Sequence, residues 1–78
     1  YRVAFSFAKK LQEAGAELID VDETEDIEKL LSEKEKNNYL IFLCRTGRRA
    51  DEAAVYARNH GFKKAYSAGG REAWAHVE

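Results

Sequence analysis

The stretch "YLIFLC" (39–44) is the feature that most restricts what this 78-residue chain can fold into. A continuous apolar run of that length fits a strand covered on both faces, as in the middle of a parallel sheet. Three further segments read as strands: "YRVAF" (1–5), "ELIDV" (17–21) and, most weakly, "KKAYSA" (63–68). The spacing between them predicts helices. After Ser6, a candidate N-cap, Phe7, Leu11 and Ala14 recur at helical intervals, and Gly15 offers a stop. Thr24 is a candidate cap for a second helix carrying Ile27, Leu30 and Leu31, its remaining faces charged and solvated.

A stripe of Ala50, Ala53, Ala54 and Ala57 marks a third helix able to lie close on the sheet, ending at "NHG" with Gly61 suited to a left-handed terminus. "GGREAWAHVE" closes the chain as a last helix with Trp74 and Val77 on one face. Strand and helix thus alternate four times. The expected fold is α/β, a small parallel sheet of about four strands flanked by helices, with residues 1–78 forming one domain.

Composition narrows the function classes. A domain of this size buries only about 60% of the surface its unfolded chain exposes, so modest stability is expected. The formal net charge of −1 argues against a polycation built for nucleic acid, and aromatic residues do not interleave with the basic ones. The chain contains no 18-residue apolar window and no leader pattern, so no membrane partner is expected and a monomer is. One cysteine forms no internal disulfide, and two distant histidines, His60 and His76, make no metal-ligand cluster; no cofactor or metal is implied.

In open parallel sheets, chemistry gathers beyond the carboxyl ends of the strands. The residues expected there are Ser6, then Asp20 with Asp22, then Cys44, then Ser67 with Gly69 and Gly70. The single thiol is followed by "RTGRR", residues 45–49. A buried structural cysteine is the simplest reading of a thiol at a strand end. Three features oppose it: Arg45, Arg48 and Arg49 nearby, a turn at Gly47 whose N–H groups can face inward, and the N-terminus of the following helix. All favour the thiolate, the form in which cysteine is a nucleophile. A phosphate cradle with five residues between cysteine and arginine would need the arginine at position 50, which is Ala50. Arg49 stands one place early. No histidine is positioned to serve as a base, His60 reading as a cap at the far end of the third helix.

The segment "YLIFLCRTGRRADEAAVYARNHGFKKAYSAGGREAW" resembles the C-terminal half of a single-domain rhodanese. The pattern is a hydrophobic strand, Cys-x-x-Gly-x-Arg, an alanine-rich helix, "GF", an aromatic strand, and "GG" before "AW". The N-terminal half allows two alignments. In one, "ELIDV" stands for the family's "LLDVR", with Asp20 as its aspartate and Asp22 where an arginine belongs. In the other, "YRVAFSF" stands for "VRxPxEF", with Arg2 as that arginine and the start shortened, similar to short periplasmic rhodaneses of the phage-shock type. The compartment expected is accordingly cytoplasmic or periplasmic.

The resemblance implies a rhodanese-like three-layer domain and a sulfurtransferase working through a persulfide on Cys44. Residues 45–49, namely Arg45, Thr46, Gly47, Arg48 and Arg49, would then hold a small anionic sulfur donor, thiosulfate or polysulfide. A thiol or an acceptor protein would take the sulfur. The alternative implied by the incomplete N-terminal half is a sulfur-carrier or binding module without turnover.

Overall fold

The computed structural model describes residues 1–74. Its sheet has three parallel strands in sequence order: β1 (Glu17–Asp20), β2 (Leu40–Cys44) and β3 (Ala65–Gly70). The helices are α1 (Phe5–Glu13), α2 (Ile27–Ser32), α3 (Arg48–Asn59) and α4 (Arg71–Trp74), with a short 3₁₀ turn at Val21–Glu23.

The hydrophobic run makes the middle strand, as its pattern requires, and every residue of β2 is buried. Alternation divides that strand between two cores. Leu40, Phe42 and Cys44 join Val21, Leu31, Phe62 and the alanines of α3 on one face. Ile41 and Leu43 join Ala8, Ala16 and Ala68 on the other, with Val3 and Leu11 packed against them. The chain is therefore three-layered, with α2 and α3 on one side of the sheet and α1 on the other. The handedness of crossovers explains the split. α2 and α3 both step from β1 towards β3, whereas α1 returns from the outer edge of β3 to β1, so connections of one hand place it on the opposite face.

The alanine stripe serves as expected. Ala50, Ala54 and Ala57 are fully buried, and Ala53 is nearly so. The helix ends in a paired-hydrogen-bond cap: Phe62 N–H donates to Ala57 O at 3.0 Å and Gly61 N–H to Arg58 O at 3.2 Å, with Gly61 at φ +95°. His60 lies at this end, its Nδ1 2.8 Å from Tyr56 O.

Several local expectations are corrected. The first segment is a single parallel bridge, Arg2 to Ser67, rather than a full strand, because α1 begins at Phe5 and leaves too few residues to pair. Ala4 occupies the N-cap position and Ser6 lies inside α1, so Ser6 does not reach a strand end. Ala8 faces the sheet where Phe7 was expected, and Phe7 stays 47% exposed; the small side chain permits closer approach. Asp26 caps α2, accepting from Lys29 N–H at 3.1 Å, while Thr24 closes the 3₁₀ turn by donating to Asp20 O at 2.9 Å. β3 lies two residues later than read and takes in Gly69 and Gly70. Val77 and His76 lie outside the described residues, as does the side chain of Trp74.

Because Ala54 is fully buried in the apolar cluster under α3, Ala54→Leu is expected to cost about 1–3 kcal/mol through overpacking. Val55→Ala, on the exposed face of the same helix, should stay within about 0.5 kcal/mol of the parent. Urea midpoints measured on the two variants check this.

Candidate functional site

The carboxyl end of β2 delivers Cys44 into the apolar cluster under α3, where the residue is 1% exposed. The chain then turns through Gly47, at φ +97°, straight into α3. That left-handed residue turns its own N–H back towards the strand end. Gly47 N–H donates to Cys44 Sγ at 2.9 Å, and Ala50 N–H at 3.4 Å. Both donors belong to the loop and first turn at the positive end of a 12-residue helix, an arrangement that favours anionic sulfur. The six residues Cys44 to Arg49 thus close around one sulfur atom.

The loop is seated on glycine. A Cβ on Gly70 would fall 2.5 Å from the carbonyl carbon of Thr46, 2.7 Å from Arg45 O and 2.8 Å from Gly47 N. All three are backbone atoms with little freedom to retreat. Gly70 also pairs with Cys44 across the sheet, after a register shift between Phe42 and Leu43. The two glycines expected just beyond the last strand are therefore its final residues, on which the loop rests.

Carboxylates grip the loop from the β1 side. Asp22 accepts the Arg45 backbone N–H at 2.7 Å, Arg49 NH1 at 3.0 Å and Arg71 NH2 at 3.2 Å. Asp20 holds Asp22 N–H at 3.0 Å and pairs with Arg71 NH1. Glu72 N–H donates to Arg45 O at 3.2 Å, tying the start of α4 to the same loop.

A second clamp acts from the β3 side. Arg2 meets Asp51 through two bonds, Nε at 3.1 Å and NH2 at 2.7 Å, and buried Ser67 donates to Asp51 at 2.6 Å. Gly69 N–H in turn donates to Ser67 Oγ at 3.1 Å. Partial burial alone would raise the Asp51 carboxyl, but the hydrogen bonds from Arg2 and Ser67, with the charge of Arg2, outweigh it and hold it below its ordinary value. Arg2 and Asp20, the two residues left open by the competing alignments, thus flank the loop on opposite sides.

Cys44, Arg45, Thr46, Gly47, Arg48 and Arg49 all sit on this one turn. The three arginines, however, do not form an uncompensated patch. Arg45 pairs with Glu72 at 3.5 Å, Arg48 with Glu52 at 3.6 Å and Arg49 with Asp22 at 3.0 Å. The Arg45 and Arg48 side chains are 73% and 87% exposed, so those two contacts are weak and easily exchanged. Sequence reasoning missed Asp51, Arg71 and Glu72 as parts of the site. Asp51 looks like any acidic residue in a first helical turn. The signal available for Arg71 was its opposite charge to Asp20 and Asp22, at the end of a strand on the far side of β2.

Among the described residues no group of three His, Cys, Asp or Glu side chains is placed to hold a metal ion. No helix among them is long and apolar enough to cross a membrane.

Two outcomes are expected. Gly70→Ala should displace the loop, costing about 1–3 kcal/mol and speeding alkylation of Cys44 by a thiol reagent, read by mass spectrometry. Asp51→Asn should be less stable than the parent at neutral pH. A depressed carboxyl contributes stability above the ordinary carboxylate range and loses it as pH falls through the folded value. The gap in urea midpoint between parent and variant should therefore close as pH is lowered below about 4.

A family model described as the rhodanese-like domain matches residues 8–76. Among solved structures, the human single-domain sulfurtransferase TSTD1 superposes with a TM-score of 0.76 at 21% identity, over 99% of this chain and 96% of that one. Comparison with curated proteins gave no significant match.

Proposed function

The chain belongs to the family of rhodanese-like domains, and we propose that it is a sulfurtransferase carrying sulfane sulfur on Cys44. The observation that carries this reading is the pair of backbone N–H groups, from Gly47 and Ala50, aimed at Sγ inside a six-residue loop. These donors are placed to stabilise negative charge on the attacking sulfur, and they suit a persulfide afterwards.

In the first half of the reaction the Cys44 thiolate attacks the outer sulfur of thiosulfate. A sulfur–sulfur bond forms to Cys44, the bond to the sulfonate sulfur breaks, and its electron pair leaves with sulfite. One monoanion and one dianion enter, and a persulfide monoanion and the sulfite dianion result. In the second half an acceptor nucleophile, cyanide or a thiolate, takes the outer sulfur and returns the electron pair to Cys44. No external oxidant or reductant is required.

The arginines bind the donor by exchange of partners. Arg45 and Arg48 hold their carboxylates only loosely, so an incoming dianion can replace Glu72 or Glu52. Arg49 is held more firmly by Asp22, whose side chain is 30% exposed, so its guanidinium also ties the loop to the end of β1. Polysulfide chains fit the same site, because only the terminal sulfur need enter the loop.

Incubation with thiosulfate should add one sulfur atom to the protein mass, removed again by cyanide, while Cys44→Ser should stay unmodified. An unchanged mass in the parent protein would sink the reading. Persulfide formation with no steady-state thiocyanate would instead assign the chain to sulfur carriage without turnover.

A further inference from the structure

A groove of about 390 Å³ leads away from the loop along α3, where the start of α2 faces it. Its floor includes Val21 and Ala53, members of the apolar cluster that also holds Cys44. Arg49, the last residue of the loop, lines it as well, so the groove adjoins the reactive turn. That guanidinium is already matched by Asp22 at 3.0 Å. Glu52 is matched loosely by Arg48 at 3.6 Å, which leaves Glu28 as the remaining charge on the walls. Tyr56, on the same wall, responds to that field: partial burial and then the carboxylates of Glu28 and Asp26 raise its phenol above its ordinary value. An apolar floor with the Glu28 carboxylate on its wall, beside a sulfur-carrying loop, is complementary to a short aliphatic chain ending in a cation.

We propose that this groove is the acceptor subsite and that it takes a small thiol bearing a protonated amine. The proposal rests on the sulfurtransferase reading and names the class of its second substrate. The acceptor thiolate attacks the outer sulfur of the Cys44 persulfide; a sulfur–sulfur bond forms to the acceptor, the bond to Cys44 Sγ breaks, and its electron pair restores the Cys44 thiolate. Two anions enter and two leave, with no net redox change. Anion attacking anion is an unfavourable encounter, and an ammonium group on the acceptor, held by Glu28, offsets it. A carboxylate in the same place would add to the repulsion.

The test compares cysteamine with 3-mercaptopropionate in discharging sulfur from thiosulfate-loaded protein, followed by mass in a single turnover. Intrinsic thiol reactivity cancels when the ratio of the two rates is compared between the parent, Glu28→Gln and Glu28→Lys. The ratio is expected to fall about threefold in Glu28→Gln, the size of one exposed charge contact, and further in Glu28→Lys. Loading by thiosulfate should be unaffected. A second arm uses unloaded protein: propylamine, and not propionate, should shift the NMR resonances of Tyr56 and Ala53, and Glu28→Lys should abolish the shift. A discharge ratio unchanged in Glu28→Lys, or equal response to amine and carboxylate, overturns the proposal. Failure of Cys44 to take up sulfur would remove the sulfurtransferase reading, while the amine titration would still decide whether the groove selects cations.

Discussion

The backbone of residues 45–47 lies directly on Gly70, closer than any side chain would allow. Much of the site depends on that contact. It sets the height of the loop above the sheet, and so lets Gly47 turn its N–H inward and α3 begin immediately behind the sulfur. Only glycine at the end of β3 permits two stretches of main chain to approach so nearly. The bulge opposite Phe42 and Leu43 brings Gly70 into register with Cys44, so the sheet itself delivers the seat to the loop.

Two clamps then hold the loop from opposite sides, each with an acidic residue at its centre. Asp22 gathers a backbone N–H and two guanidinium groups, while Asp51 gathers Arg2 and Ser67. The chain has nearly equal numbers of acidic and basic residues, and around the loop it uses them in pairs. The loop's positive charge is thus available to a ligand without being free in its absence. Exposed pairs of this kind contribute little to stability and exchange readily. The less exposed pair at Asp22 has the more structural part.

Much of the architecture was legible along the chain because it rests on periodicity. The apolar run had to be central, the alanine stripe had to face a close surface, and Gly61 had to end α3. The cysteine's place at a strand's carboxyl end followed from the same alternation. Capping was less legible. Thr24 and Asp26 are both competent caps two residues apart, and the choice depended on the 3₁₀ turn that takes Thr24 for itself. At the N-terminus, Ser6 was the better cap by residue type, yet helix α1 starts earlier, where Ala8 and Leu11 find the sheet.

The sequence by itself determined the order of strands and helices, the burial of β2 and the spacing from Cys44 to Arg49, since these rest on local pattern and residue size. Tertiary structure alone decided what surrounds the sulfur. Arg2 and Asp51, or Asp20 and Arg71, are 49 and 51 residues apart, and no local propensity links them. They meet because a parallel sheet brings the ends of separate segments to one edge, where opposite charges pair across the loop. The arginines after Cys44 are written in the sequence as a positive cluster; folding makes them one half of a balanced set.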